Sequence, residues 1–283
     1  MPPRPDRGVA ATLPVRHALA LGLLHGPAEL LTVSSSGHTT LVPWLLGWPY
    51  PDMDGDLRKA FEVALHAGTA VGLLIALRGE VAEAAHGLDR RRVTLLAGSF
   101  VPPAAAGLLF ERQIEGHLGT AGTIAAGLAA GAVVMVVADA LGSSARTRED
   151  ATAGDALALG LAQASALIPG LSRGGMTLSA MRARGFARGE ASALSRHVAL
   201  PVIAGASVLK GARLARRGVP PGFGGRLALG AGASLLSTLA AARLVPVERV
   251  GALWPYAAYR GALAAVTYRR LTCEHRGPMR SQG

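Results

Sequence analysis

The sequence predicts an all-α polytopic membrane protein, with about six transmembrane helices and two re-entrant helical hairpins in an inverted-topology repeat. Half of the 283 residues are hydrophobic and only 17% are charged, whereas a soluble domain carries about 25% charged residues. Six apolar segments are long enough to be spans, and shorter ones flank two polar, glycine-bearing breaks. We therefore expect one integral membrane domain over 1–283, with repeats at about 9–141 and 154–268 and polar tails at 1–8 and 269–283.

The first repeat begins with two short apolar segments, at 9–24 and 39–48, on either side of a polar break at 25–38. Each segment is shorter than the roughly 20 residues of a membrane span, so the pair predicts a re-entrant hairpin. A polar loop at 49–59 follows. Three spans then complete the repeat, with polar or charged loops between them: spans at 61–77, 93–110 and 118–141, loops at 78–92 and 111–117.

The second repeat has the same order, after a polar loop at 142–154. It begins with a half-helix at 156–168, a break that starts at Pro169 and a short segment from Met176. Three more spans follow, at 197–214, 226–244 and 250–268. Three spans between the hairpins put the hairpins on opposite faces of the membrane, and such inverted repeats hold their site near the midplane. Superposing the two breaks pairs Leu31 with Ile168, Ser35 with Ser172 and Gly37 with Gly174. We expect the two breaks to share one site.

Charge and cysteine content exclude several classes of protein. The net charge is +11, but the arginines cluster between apolar segments, as in loops that flank spans and attract anionic lipid. Few aromatic residues accompany them, so we expect no nucleic-acid partner. Cys273 is the only cysteine, which excludes an internal disulfide. We expect a multi-pass protein of the cell membrane, and the balance of arginines leaves open which face the site opens to.

The second break carries the strongest chemical signal. Pro169 ends the preceding helix, and broken backbone at membrane depth is tolerated only when it is buried in protein or lines a watery cavity. Arg173 at that depth is by default a functional residue. With neighbouring glycines and hydroxyls it can form an anion cradle, for which we expect phosphate; the other members are Gly170, Ser172, Gly174, Gly175 and Thr177. The alternative is that Arg173 only ends an apolar segment at the interface.

The first break places histidines, a carboxylate and three serines between apolar flanks, namely His25, Glu29, Ser34, Ser35, Ser36, Gly37 and His38. The serines can be a catalytic group or simply a helix N-cap run. Glu62 and His66 follow in the next span, four residues apart and so on one helix face. They are either a satisfied pair at a helix end or part of the polar site.

These residues resemble the undecaprenyl-diphosphatase family, also called bacitracin-resistance proteins. The resemblance covers most of the chain, from about Leu19 to Tyr268, and includes Phe61-Glu62-Val63 with Gly68. Three positions depart from the family's motifs: His25 replaces a glutamate, Thr32 a proline and Gly174 a serine. The matching residues are Glu29, Val33, Ser34, Ser35, Gly37 and His38 in the first motif, and Pro169, Gly170, Ser172, Arg173 and Thr177 in the second.

The resemblance implies a membrane phosphatase that converts undecaprenyl diphosphate to undecaprenyl phosphate and so recycles a lipid carrier for cell-wall polymers. Arg173 would neutralise the transferred phosphoryl group, and the nucleophile would be Ser35 or a water. His38 or Glu29 is the candidate base. Glu29 is also the candidate ligand for a divalent cation, Mg²⁺ or Ca²⁺. The expected substrate-binding residues are His25, Ser34, Ser36, Gly37, Glu62, Gly170, Ser172, Gly174, Gly175 and Thr177.

Two other functions fit the sequence. Inverted repeats with broken helices are typical of transporters, so a polyprenyl-phosphate flippase with little or no hydrolytic activity is the main alternative. A non-catalytic membrane scaffold is the second, and it predicts that Arg173→Ala affects no lipid-phosphate activity. The expected partners are the polyprenyl diphosphate and membrane lipids, with a homodimer left open.

Overall fold

The structure, a computed structural model, describes residues 13–86, 89–219, 221–245 and 251–276. Regular structure within these ranges is helical, apart from one isolated β-bridge between Arg146 and Phe186. A 3-10 turn at Arg148–Asp150 precedes α7. The helices are α1 Val15–Leu30, α2 Ser35–Leu45, α3 Gly55–Ala76, α4 Arg78–His86, α5 Arg90–His117, α6 Ala121–Leu141, α7 Ala153–Ser165, α8 Arg173–Ala183, α9 Arg188–Arg217, α10 Gly224–Leu244 and α11 Trp254–Arg276.

Five of these helices are long and apolar enough to cross a membrane: α3, α5, α6, α9 and α10. The chain is therefore an all-α, multi-pass membrane protein, as predicted. The sixth expected span corresponds to α11, which has 23 residues but is not among the five. Its role as a span stays a prediction.

Short helices lie on both sides of each break, but α1 continues to Leu30 and α2 begins at Ser35, so most of the break predicted at 25–38 is helical. Helices α1, α2, α7 and α8 have 16, 11, 13 and 11 residues, all shorter than the roughly 20 residues of a span. Their re-entrant placement in a bilayer, with opposite orientations, stays a prediction.

The two breaks end in the same local geometry. Ser34 and Ser172 both have positive φ, 77° and 61°, and each hydroxyl accepts a hydrogen bond of 3.3 Å from the amide three residues later. Farther along, the Thr39 and Thr177 hydroxyls donate to the carbonyls four residues before them, at 3.1 and 2.9 Å. Ser34 is thus the counterpart of Ser172, and the predicted pairing of the breaks is wrong by one residue.

In each repeat, the first half-helix packs against a helix of the other repeat. Helix α1 packs on α10, and α7 packs on α5, so each first half-helix lies against a helix of the other repeat. A Cβ at Gly26 of α1 would lie 2.4 Å from the Ser237 hydroxyl, and one at Gly160 of α7 would lie 2.7 Å from Pro102. Small residues allow this close approach of membrane helices.

Several predicted loops are helical instead. The expected loop at 78–92 contains α4, the expected loop at 111–117 belongs to α5, and α11 extends to Arg276 through the expected polar tail. Alanine, glutamate and arginine favour helix even where the pattern is polar, and the Asp54 and Asp89 side chains cap α3 and α5. The predicted tail 1–8, the first repeat's start at 9–12 and residues 277–283 lie outside the described residues.

Candidate active site

One carboxylate joins the two breaks. Glu29 lies near the end of α1, while Ser35 and Arg173 are the first residues of α2 and α8. The Ser35 hydroxyl donates to Glu29 Oε2 at 2.6 Å, and Arg173 Nη2 donates to Glu29 Oε1 at 2.5 Å. The Glu29 and Arg173 side chains are only 13% and 17% exposed, so the ion pair is largely shielded from solvent.

Unusual backbone conformations position these side chains. Thr32 and Ser34 have φ of 59° and 77°, values that are uncommon outside glycine and that cluster at functional sites. The chain therefore turns sharply after α1, and α2 begins at Ser35. In the second break, Gly170 has φ of 97°, and a Cβ there would lie 2.4 Å from the Ile124 carbonyl oxygen. Only glycine fits this position.

The helix N-termini leave part of their amides available. The Gly37 and Gly175 amides, both expected to bind phosphate, donate instead to the Ser34 and Ser172 hydroxyls. The first N–H groups of a helix have no intrahelical acceptor, and they attract anions. In the described part of the chain, no hydrogen-bond acceptor is found for the amides of Ser35, Ser36, Arg173 and Gly174.

Both ring nitrogens of His38 are engaged in contacts other than with the Ser35 hydroxyl. Its Nδ1 lies 2.7 Å from the Ser34 carbonyl oxygen, and its Nε2 lies 2.7 Å from the Tyr259 hydroxyl. Since a carbonyl only accepts, Nδ1 carries a proton, and in the neutral ring Nε2 accepts from Tyr259. Of the two candidate bases, Glu29 is the one hydrogen-bonded to Ser35.

Two of the expected substrate-binding residues, His25 and Glu62, make their hydrogen bonds elsewhere. The His25 ring is buried, with Nδ1 at 2.8 Å from the Thr69 hydroxyl and its edge against the His66 ring. The Glu62 carboxylate accepts from the Tyr50 hydroxyl at 3.4 Å. Neither lines the cavity beside Glu29 and Arg173. His25 nevertheless precedes Glu29 by one turn of α1, so it lies beside the site, and the structure does not bring Glu62 there.

The remaining predicted residues shape the breaks. The Thr177 hydroxyl is buried, bonded to the Arg173 carbonyl and 2.5 Å from the Ser195 hydroxyl. Ser36 is exposed, and its hydroxyl lies 3.4 Å from that of Ser34. Gly174 lines the cavity and packs close to Thr32. These contacts fix the backbone from which Ser35 and Arg173 project.

Sequence reasoning missed two residues of α11, Tyr259 and Arg260. Arg260 is completely buried. Its Nη2 donates to the Gly170 and Leu171 carbonyls, at 2.9 and 3.1 Å. Two adjacent residues of α11 therefore contact both breaks: Tyr259 contacts His38 beside the first break, and Arg260 binds the backbone of the second. The signal was available, because an arginine inside an apolar segment is itself a functional hypothesis.

A cavity of about 240 Å³ opens beside the Glu29–Arg173 pair. Its lining is polar near this pair and near Arg196, and it is apolar where Leu73, Leu77, Ala199, Leu200 and Ile203 form its wall. Among the described residues, no group of three or more histidine, cysteine, aspartate and glutamate side chains is placed to hold a metal ion. The cavity thus reaches the carboxylate and the arginine along an apolar wall, and Ser35 lies behind Glu29, outside the lining.

Comparisons with known proteins identify relatives over most of this chain. An undecaprenyl-diphosphatase of Geobacter sulfurreducens is 37% identical over 274 residues, covering 90% of this chain and 99% of the relative. A second, from Pelobacter propionicus, is 37% identical over 269 residues, covering 88% and 96%. A third, from Moorella thermoacetica, is 34% identical over 262 residues, covering 89% and 96%. The family model for the bacitracin resistance protein BacA matches residues 18–266, and the chain belongs to this family.

Proposed function

We propose that this protein is a membrane phosphatase that hydrolyses undecaprenyl diphosphate to undecaprenyl phosphate and inorganic phosphate. The activity recycles the lipid carrier for cell-wall synthesis. Family membership and the names of the relatives support the substrate. The observation that carries the proposal is the Glu29 carboxylate, which is hydrogen-bonded to both Ser35 and Arg173.

The geometry suits nucleophilic catalysis by Ser35. A serine hydroxyl is weak at its own pKa and needs an adjacent base, and Glu29 Oε2 lies 2.6 Å from it. Glu29 takes the hydroxyl proton as Ser35 Oγ bonds to the terminal phosphorus, and the bond from that phosphorus to the lipid phosphate breaks. Glu29 passes this proton to the departing lipid phosphate. Water then attacks the phosphoserine, gives one proton to Ser35 Oγ as the bond from phosphorus to Oγ breaks, and leaves as hydrogen phosphate.

Charge stabilisation falls to Arg173 and the helix N-termini. Phosphoryl transfer depends mainly on positioning and on neutralising charge on the equatorial oxygens. The guanidinium of Arg173 binds phosphate oxygens as a planar fork, and it is already placed by its ion pair with Glu29. The amides of Ser35, Ser36 and Gly174, together with that of Arg173, add neutral donors at the start of α2 and α8.

A divalent cation, Mg²⁺ or Ca²⁺, remains part of the proposal. Magnesium is usually held by one or two carboxylates together with substrate phosphates, and Glu29 is the carboxylate that would supply its ligand here. A bound cation would neutralise the diphosphate. Dialysis against a chelator, followed by titration of Mg²⁺ and Ca²⁺, tests this requirement.

We also propose the cell inner membrane as the location, and a homodimer as the assembly.

Phosphate release from a polyprenyl diphosphate by the purified protein in detergent tests the function. We expect release by the wild type, near-complete loss in Arg173→Ala and full activity in Arg216→Ala, an exposed arginine of α9. A flippase releases no phosphate under these conditions, so an inactive but folded wild type contradicts the proposal. Lipid transport across vesicles then becomes the measurement that separates a flippase from a scaffold.

A further inference from the structure

We propose that Arg196 and Ser192 of α9 form a second anion subsite, which binds the phosphate attached to the lipid chain. This inference rests on the proposed function and assigns the two phosphates of the substrate to different residues. The terminal phosphoryl group lies at Glu29, Ser35 and Arg173, and the lipid-linked phosphate lies at Arg196.

The first support is the lining of the cavity. Ser192 and Arg196 line the same cavity as Glu29 and Arg173. The spacing of α9 residues places them on one helix face, three or four residues apart along that face. Beyond Arg196 the same face becomes apolar, with Ala199, Leu200 and Ile203. A ligand with its reactive end at Arg173 and its apolar end on this wall passes Arg196 at the junction.

The second support is how the arginine is held. Its Nη1 donates to the Ser192 hydroxyl oxygen at 2.7 Å, so the Ser192 proton remains available to donate. Its Nε lies 3.1 Å and 3.2 Å from the two oxygens of Glu80 in α4. The Arg196 and Glu80 side chains are 15% and 21% exposed. The guanidinium is therefore oriented before an anion arrives, and Glu80 balances its charge.

The third support is charge complementarity. A diphosphate monoester carries negative charge on both phosphates, and Arg173 can match only one of them while it also contacts Glu29. The apolar wall offers the other phosphate no protein cation, and a charge buried without a partner is costly. Arg196 supplies that cation. In this assignment Glu80 competes with the substrate for Arg196.

Two substitutions separate a binding role from a structural ion pair. We expect Arg196→Gln to raise the KM for farnesyl diphosphate by about tenfold or more, the equivalent of one lost charge-assisted hydrogen bond, with little change in kcat. Glu80→Gln breaks the same ion pair but frees the guanidinium, so KM should stay the same or fall. The exposed Arg216→Gln on α9 is the matched control and should change neither constant. An equal rise of KM in Arg196→Gln and Glu80→Gln overturns the assignment.

Binding measurements keep the subsite testable apart from catalysis. Titration with farnesyl phosphate, which has the lipid-linked phosphate but no scissile group, should give a Kd about tenfold higher for Arg196→Gln than for wild type. Farnesol, which lacks phosphate, should bind both proteins equally. If wild type releases no phosphate yet shows this difference, the proposed function fails and the subsite stands. Equal Kd values for farnesyl phosphate contradict the subsite.

Discussion

At the scale of single residues, Arg173 is the group whose chemistry is hardest to replace. Its Nη2 contacts Glu29 at 2.5 Å, and its planar fork can bind two phosphate oxygens at once. Lysine keeps the charge but offers a point donor. Removing one preorganised donor to a developing anion costs about 10²–10³ in kcat.

We therefore predict that Arg173→Lys lowers kcat for phosphate release by about 100-fold or more, although net charge is unchanged. Steady-state kinetics on the purified protein measure this effect. Arg216→Lys, at an exposed position of α9, is the control and should leave kcat unaltered. Retention of near wild-type kcat in Arg173→Lys would show that only charge matters at this position.

His38 is a positioning residue in this account, because its ring nitrogens contact the Ser34 carbonyl and the Tyr259 hydroxyl. A general base contributes about 10²–10⁴-fold, whereas we expect His38→Gln to lower kcat by no more than about tenfold and to leave the pH profile of kcat/KM unchanged. Tyr259→Phe should have a similar, non-additive effect. A loss above 100-fold with an altered pH profile would return His38 to the role of base.

At the scale of elements, α10 packs so closely on its neighbours that glycine positions differ sharply. A Cβ at Gly230 would lie 2.5 Å from the Phe61 ring, while a Cβ at Gly232 meets nothing within 4 Å. Overpacking typically costs about 1–3 kcal/mol. Each kcal/mol shifts the Tm of a protein this size by roughly 2–4 °C.

We predict that Gly230→Ala lowers the Tm in detergent by at least about 2 °C, whereas Gly232→Ala on the same helix leaves it unchanged or slightly higher. Thermal unfolding followed by circular dichroism measures both. Equal Tm values for the two variants would mean that the neighbours of Gly230 move aside for a methyl group, so that the α10 interface is not tightly packed there.

The breaks themselves could be predicted from the sequence, but their geometry could not. Pro169 and the surrounding glycines interrupt an apolar pattern in a way that composition reveals. The correct counterpart of Ser172 depends on the positive φ of Ser34, which no residue pattern requires of serine. The contact between His38 and Tyr259 joins residues 221 positions apart, and only the packing of α11 brings them together.

At the scale of the whole molecule, the two repeats are expected to be inverted. Three expected spans, α3, α5 and α6, separate the loop after α2 from the loop before α7. An odd number of spans puts these two loops on opposite sides of the membrane. Helix content and the apolar segments were predictable from hydropathy, but α4 was taken for a loop because its segment is polar.

We predict that Asp52→Cys and Ser144→Cys, each in a Cys273→Ser background, are labelled from opposite sides of the membrane. Both residues are exposed in the structure. A membrane-impermeant maleimide applied to right-side-out and inverted vesicles makes the measurement, and detergent-solubilised protein controls for reactivity. Labelling of both positions from one side would rule out the inverted repeat.

The central claim is that Glu29 and Ser35 act as one unit with Arg173, and a kinetic double-mutant cycle tests it most directly. Rates of phosphate release are compared for wild type, Glu29→Gln, Ser35→Ala and the double variant. Residues that act as a unit are strongly non-additive, so the double variant should be no slower than the slower single variant. Effects that multiply would show that the two residues act independently, which would contradict Glu29 as the base for Ser35.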